Sequence, residues 1–219
     1  MRSKQQAATD LNARRRHGRA DRERALVRAA IKLFASHGYE ATTTREIAAY
    51  AGCSEGLIHR YFKSKEGLLR AVMSSHTSQR MLELAEHLPV SDSLEEEMRQ
   101  LMYWEVNRMW QDRNFLRVAL QRAMLDPKIA RSVRHLGPAR LAKVIADRLR
   151  NYQNPLGLDD DDIEAASNAV SALCFVFGFL RPAVLGYDRK ETKQVAENAA
   201  KIIARGLAPA KRPLTAQRT

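Results

Sequence analysis

Apolar residues recur at spacings of three and four along most of the chain and nowhere alternate over the length of a strand. Leu26, Ala29, Ala30, Leu33 and Phe34 make one face of a helix that Asp21 can cap and that His37-Gly38 ends. A shorter group follows, Ile47, Ala48 and Ala51, opened by the run Thr42-Thr43-Thr44 and closed by Gly52. Thr43 and Glu46 have the spacing of a capping box, and Gly52 permits the backbone conformation that terminates a helix. Ser54 is a fresh N-cap for a second short helix, Glu55 to about Tyr61, with Leu57 and Ile58 turned inward. After Phe62, Ser64 caps a longer helix whose apolar face starts with Leu68, Leu69, Val72 and Met73 and which Pro89 stops.

The same period continues to the far end. Ser91, Asp92, Ser93 and the acidic Glu95-Glu96-Glu97 open a helix with Leu94, Met98, Leu101, Met102 and Met109 on one face and Trp104 and Trp110 alongside. Glu105 falls inside that stripe, where a carboxylate is costly unless paired. It fits an ion pair with Arg108 or Arg117, the edge of the stripe, or a ligand-facing acid. Helices are expected over Asn114–Leu125 and again from Asp126-Pro127, with an interruption at Gly137-Pro138. Residues 169–186, AVSALCFVFGFLRPAVLG, are apolar all round and must be buried on more than one side. Gly178 and Pro182 predict a kink there. A last helix, about Asp188 to Gly206, sets Val195, Ala199, Ile202 and Ile203 on one face. The expected fold is all-α.

Charge divides the chain. The whole carries a formal +12, but residues 1–80 hold 16 Lys+Arg against 7 Asp+Glu, while the remainder holds 21 against 18. A basic front on a nearly balanced body suits a polyanion-binding module joined to something else. Residues 1–20 have almost no apolar content, so a mobile basic arm ending at Arg19 is expected, placed to follow phosphates or enter a minor groove. Cys53 and Cys174 lie too far apart to suggest a disulfide framework or metal site, and Cys53 is expected as a small buried hydrophobe. No phosphate-binding glycine loop, metal spacing, nucleophile motif or repeat is present, so no cofactor, metal or enzymatic activity is expected. No apolar run approaches the roughly 18 residues that span a bilayer, and the N-terminus lacks a signal-peptide core, which makes a cytoplasmic protein without membrane contact the expectation.

Small Ala48, the Gly52 turn and the polar outer side of residues 55–61 suit a helix-turn-helix whose second helix reads a major groove. On the turn alone, a helical hairpin in an ordinary core fits as well. The run G-Y-x-x-T-T-x-x-x-I-A-x-x-A-G-x-S-x-G-x-[LI]-x-x-[HY]-F-x-S-K-E-x-L adds to this. It stands here as Gly38, Tyr39, Thr42, Thr43, Ile47, Ala48, Ala51, Gly52, Ser54, Gly56, Ile58, Tyr61, Phe62, Ser64, Lys65, Glu66 and Leu68. Over roughly residues 21–70 the chain resembles the TetR/AcrR family of transcriptional regulators. One position departs from the pattern: His59 stands where the family usually has Tyr, which puts the operator sequence in doubt.

The resemblance implies roles. Thr43 and Thr44 would bind a phosphate oxygen at a helix N-terminus. Ser54, Glu55 and Gly56 would open the recognition helix, with Gly56 allowing close approach to the bases. His59 and Arg60 would face base edges or phosphates, and Tyr61 and Lys65 would clamp phosphates. The expected domains are a basic arm (1–20), a DNA-binding domain (21–67), an effector-binding and dimerisation domain (68–208) and a disordered tail (209–219). The expected partners are a pseudo-palindromic double-stranded operator, a small hydrophobic effector, and a second copy joined through the last two helices, about 163–206. Met102, Glu105, Met109, Trp110, Phe115, Met124 and Phe175 are the candidates for lining an effector pocket; each fits plain core as well. A sequence-indifferent nucleoid binder, and a helical carrier or enzyme with an incidental basic front, are the rival readings.

Overall fold

The computed structural model describes residues 2–208, with side chains described from Gly18 onward except at 154–155. The tail expected over 209–219 lies outside the described residues. Every regular element described is helical. The chain forms two compact units. The first holds the residues up to Arg80 together with Arg117–Val133, and the second holds Met81–Leu116 with the residues from Arg134 on. The boundary expected at residue 67 lies inside the first of these units. It falls in the first turn of an uninterrupted helix whose Leu68, Leu69 and Val72 are fully buried.

In the first unit, α1 (Arg2–His37) buries Leu26, Ala29, Ala30, Leu33 and Phe34, the stripe read from the sequence. It begins far before Asp21. The backbone of the expected arm is helical back to Arg2, and Asp21 pairs with Arg24 at 2.5 Å instead of capping. Residues 2–20 contain no proline and many strong helix formers, so nothing in them halts a helix that α1 has already nucleated. Then come α2 (Thr44–Tyr50), α3 (Glu55–Phe62) and α4 (Lys65–His87). Ser64 caps α4 as its position implies, its hydroxyl accepting from the Gly67 N–H at 3.1 Å. The first unit also takes the C-terminal part of α6 (Arg113–Leu125) and the start of α7 (Pro127–Leu136).

The second unit is built on α5 (Leu94–Gln111), α8 (Pro138–Leu149), a short turn at Arg150–Tyr152 leading into the one-turn α9 (Gln153–Leu156), α10 (Asp160–Phe175) and α11 (Arg189–Leu207). α10 packs on α8 and α11 on α5. Capping residues set the starts. Asp159 and Asp162 form a capping box before α10, and the Asp188 carboxylate accepts from the Lys190 and Glu191 N–H groups before α11. The kink expected near Pro182 takes the form of a π-helical stretch, Val176–Val184, that continues α10. Proline offers no N–H to the regular ladder, and wider bonds such as Leu185 N–H to Leu180 O take over.

Helix and π-stretch together, Asp160–Val184, contain an 18-residue window of mean hydropathy 1.6, long and apolar enough by composition to cross a membrane. This corrects the expectation that no run approaches that length. Half of the window is buried inside the protein. Gly178 is the reason that α5 can lie so close to it: a Cβ there would fall 2.8 Å from Met109 Cβ and 3.0 Å from Val106 Cα.

Candidate nucleic-acid interface

The helix-turn-helix is built from local bonds. Thr43 caps α2, accepting from the Glu46 N–H, while the Glu46 carboxylate returns to the Thr43 backbone at 2.7 Å. That backbone hydrogen bond holds the Glu46 carboxyl below its usual range. The fully buried Thr42 donates its hydroxyl to Gly38 O at 2.7 Å and braces the approach to α2. At the other end, Gly52 (φ +64) follows the C-cap Ala51, the Cys53 N–H reaches Ala48 O at 2.9 Å and the Gly52 N–H reaches Ala49 O at 3.1 Å. This is a Schellman turn, and its positive φ requires the glycine. Cys53 is half-exposed rather than buried, because the residue after such a glycine sits at the outer edge of the turn.

α3 presents two faces. Ile58 is fully buried, with Leu57 and Phe62 half-buried beside it; Gly56, His59 and Arg60 are exposed. Ser54 stands at the N-cap with extended backbone but makes no side-chain capping bond. The opening of α3 is tied to α2 by another route: the Thr44 hydroxyl donates to Glu55 Oε1 at 2.6 Å. That bond, with Arg45 3.7 Å away, keeps the Glu55 carboxyl below its usual range. Glu55 is thus a brace between the two helices, and Thr44 is half-buried in the same contact. A Cβ added at Gly56 would meet nothing within 4 Å, so the fold itself does not need the glycine.

Around this pair the structure gathers several of the residues expected to bind DNA. Arg19 places its guanidinium 5.1 Å from the centre of the Tyr61 ring while pairing with Glu23 at 2.8 Å. Lys65 is more committed than expected. Its ammonium lies 4.3 Å from the centre of the Tyr39 ring and donates to Glu40 O at 3.3 Å, and partial burial lowers its pKa. Arg122 also lies 5.1 Å from the centre of that ring and pairs with Glu40 at 3.0 Å. Arg45 was missed by the sequence reading. It is 87% exposed on the first turn of α2, and the signal that could have found it was its place directly after Thr43-Thr44.

The effector candidates differ in their surroundings. Met102, Glu105 and Met109 are buried on α5, and Phe175 is half-buried with its ring 5.4 Å from Phe179. Phe115 is half-buried. Met124 is 80% exposed. Trp110 is half-buried between the guanidinium groups of Arg113 (4.6 Å) and Arg189 (5.1 Å), a cationic setting rather than an apolar one. Three open clefts are described, the two larger ones about 520 and 540 Å³; none of the seven candidates lines any of them. Among the described residues no group of His, Cys, Asp and Glu could hold a metal ion.

An exposed, base-bearing second helix locked to the first by a Schellman turn and a Thr–Glu brace defines a helix-turn-helix protein. Residues 26–72 match the model for bacterial regulatory proteins of the tetR family, which makes this segment a tetR-type DNA-binding region. The HTH-type transcriptional regulator YvkB of Bacillus subtilis (strain 168) is 49% identical over 55 residues, which are 25% of this chain and 29% of that protein. The matched stretch thus spans under a third of this curated relative. Two crystal structures extend the likeness to most of the chain. A TetR transcription regulator from Haloarcula marismortui ATCC 43049 has a TM-score of 0.69 at 16% identity, covering 85% of this chain and 98% of that one. A regulatory protein of the tetR family from Rhodococcus RHA1 has a TM-score of 0.58 at 23% identity, covering 87% and 98%. At such identities the likeness is one of fold.

Proposed function

We propose that the chain is a sequence-specific DNA-binding transcriptional regulator, a repressor that acts as a homodimer and leaves its operator when a small hydrophobic effector binds. The exposed face of α3 carries this reading. Gly56, His59 and Arg60 lie opposite the buried Ile58, on a helix fixed at both ends. A glycine within a helix is unfavourable by about 0.5–1 kcal/mol relative to Ala, and at Gly56 no neighbour inside the protein accounts for it. Close approach of a partner to the helix surface does. Arg60 can fork onto a guanine edge, with His59 beside it. Thr43, Thr44, the first turn of α2 with Arg45, the Arg19–Tyr61 pair and Lys65 would surround the groove and hold phosphates. Ser54 and Glu55 would set how α3 enters.

Two copies are needed because one α3 reads only a short half-site. Ala165, Ala169 and Ala172 of α10, with Val195 and Ile202 of α11, leave an exposed face of small and apolar residues for that pairing. Met102, Glu105, Met109, Phe115 and Phe175 remain the candidates for meeting an effector in the second unit. Reading chromosomal DNA in a bacterium implies a cytoplasmic location.

Selection from a random duplex library at fixed salt tests the reading. Enrichment of an inverted repeat whose half-sites lie about 10–10.5 bp apart, or a multiple of that, is expected. Equal recovery of all duplexes would mean a sequence-indifferent binder. Absence of salt-dependent duplex binding would leave a helical carrier or enzyme and overturn the proposal.

A further inference from the structure

We infer that Lys63, the residue that closes the recognition helix, is the phosphate anchor at its exit, and that the fold on its own would place glycine there. The inference rests on the DNA-binding reading above and deepens it. Lys63 is the C-cap of α3, with φ 71 and ψ −35. Among the described residues, the other positions of positive φ are all glycine: Gly38, Gly52, Gly157 and Gly186. Glycine adopts such a conformation without penalty, whereas a side chain is strained in it. Lys63 is therefore a costly choice for the turn, and the reason must lie in its side chain.

That side chain is exposed, and among the described residues its ammonium makes no hydrogen bond or ion pair. It stands directly at the end of the helix that carries the exposed His59 and Arg60. Lys65 is close in sequence but differently placed, its ammonium already held by the Tyr39 ring and Glu40 O. Of the two lysines, Lys63 is the one whose ammonium has no partner inside the protein among the described residues, so all of its donors can meet a backbone phosphate. Such a contact strengthens binding to every duplex alike and releases about one counterion.

A competing role is purely structural, in which a cation beside the last carbonyls of α3 offsets the helix dipole. Three variants separate the two. Lys63→Gly and Lys63→Gln both remove the charge, but only glycine also removes the strained Cβ; Lys63→Arg keeps a charge. Affinity is read by fluorescence anisotropy against KCl, on the library-selected duplex and on an unrelated one, alongside Tm. Both charge-removing variants are expected to bind the two duplexes about eight-fold more weakly per protomer at about 0.1 M salt, with a salt slope shallower by about 0.9 per protomer. Lys63→Arg should bind as the parent does. Lys63→Gly should melt about 2–4 °C above Lys63→Gln.

Unchanged affinity and slope in the Gly and Gln variants, while the parent binds DNA, would overturn the assignment and leave the DNA-binding reading intact. A lower Tm in both variants with an unmoved slope would also overturn it, giving the ammonium to the helix dipole. A parent protein that binds neither duplex would overturn both.

Discussion

Arg148 donates its guanidinium N–H to the carboxylate of Glu97, a side chain with no exposed surface. The remaining donors of Arg148 reach Leu88 O at 2.9 Å and Pro89 O at 3.2 Å, and Glu97 Oε2 accepts from the Ser91 N–H at 2.8 Å. One buried pair thus fastens α8 to α5 and to the linker between α4 and α5. Removing one partner strands a buried charge, so Arg148→Ala is expected to cost about 3–5 kcal/mol in urea unfolding. The double variant Arg148→Met with Glu97→Leu should recover most of that loss, because no charge is then left behind. A cost below about 1 kcal/mol for Arg148→Ala would mean that water reaches Glu97 in the folded protein.

Gly178 and Gly206 predict opposite signs for the same substitution. At Gly178 an added Cβ would lie 2.8 Å from Met109 Cβ and 3.1 Å from Val106 O, so Ala there must push α5 away from the π-helical stretch. Such overpacking costs about 1–3 kcal/mol. At Gly206, near the end of α11, the added carbon meets nothing within 4 Å. Ala should stabilise there, by at most about 1 kcal/mol. Thermal melts of the two single variants check this, and equal signs would contradict the packing described around Gly178.

Local chemistry made most of this fold legible in the sequence. Thr43 with Glu46, Gly52, Ser64 and Asp188 act through neighbours within a few residues, and each stands where its spacing placed it. Glu97 was not legible. It reads as one of three exposed acids in a first turn, and only Arg148, 51 residues later, makes its burial tolerable. Thr44 and Glu55 carry separate expectations, a phosphate contact and the opening of the recognition helix, since nothing in the sequence says that their side chains bond each other across the turn. The surroundings of Trp110 and Met124 were not legible for a related reason. Aromatic and methionine residues suggest an apolar lining, but composition is silent about the two guanidinium groups around Trp110 and the open surface at Met124.

Stability should fall at both ends of the pH scale for identifiable reasons. Glu46, Glu55 and Glu66 are held below the ordinary carboxyl value of 4.5, and hydrogen bonds from Arg99 and Gln100 push Glu96 down to about 2. Their contributions are complete above about pH 4.5 and are lost as pH falls toward 2, because the unfolded chain takes up protons first. Tyr39 and Tyr152 move the other way, burial favouring the neutral phenol, with Tyr152 raised to about 12. Both contributions are complete below pH 10; that of Tyr152 disappears as pH rises toward 12, and that of the more strongly shifted Tyr39 persists beyond it. Urea midpoints across pH 2–12 should give a plateau with these two shoulders, the alkaline one softened by Tyr152→Phe. In Thr44→Val, the Glu55 carboxyl followed by carbon-13 NMR should titrate closer to 4.5, since its main hydrogen bond is gone. A Glu55 titration identical in parent and variant would argue against the brace.

Under the proposed DNA-binding function, variants of Arg60 test base reading against phosphate holding. It is exposed beside His59 on the outer face of α3, where a guanidinium can take both acceptors of a guanine. Arg60→Ala should cost about 1–3 kcal/mol on the selected operator and much less on an unrelated duplex, so the ratio between the two contracts. Repeating the library selection with this variant should relax preference at one position of each half-site. His59→Tyr, which installs the residue usual for the family, should instead move the preferred base at a neighbouring position without weakening unrelated DNA. Equal losses on both duplexes would make Arg60 a phosphate contact. Unchanged affinity and preference would remove it from the interface, leaving His59 and Gly56 as the only exposed α3 side of the reading.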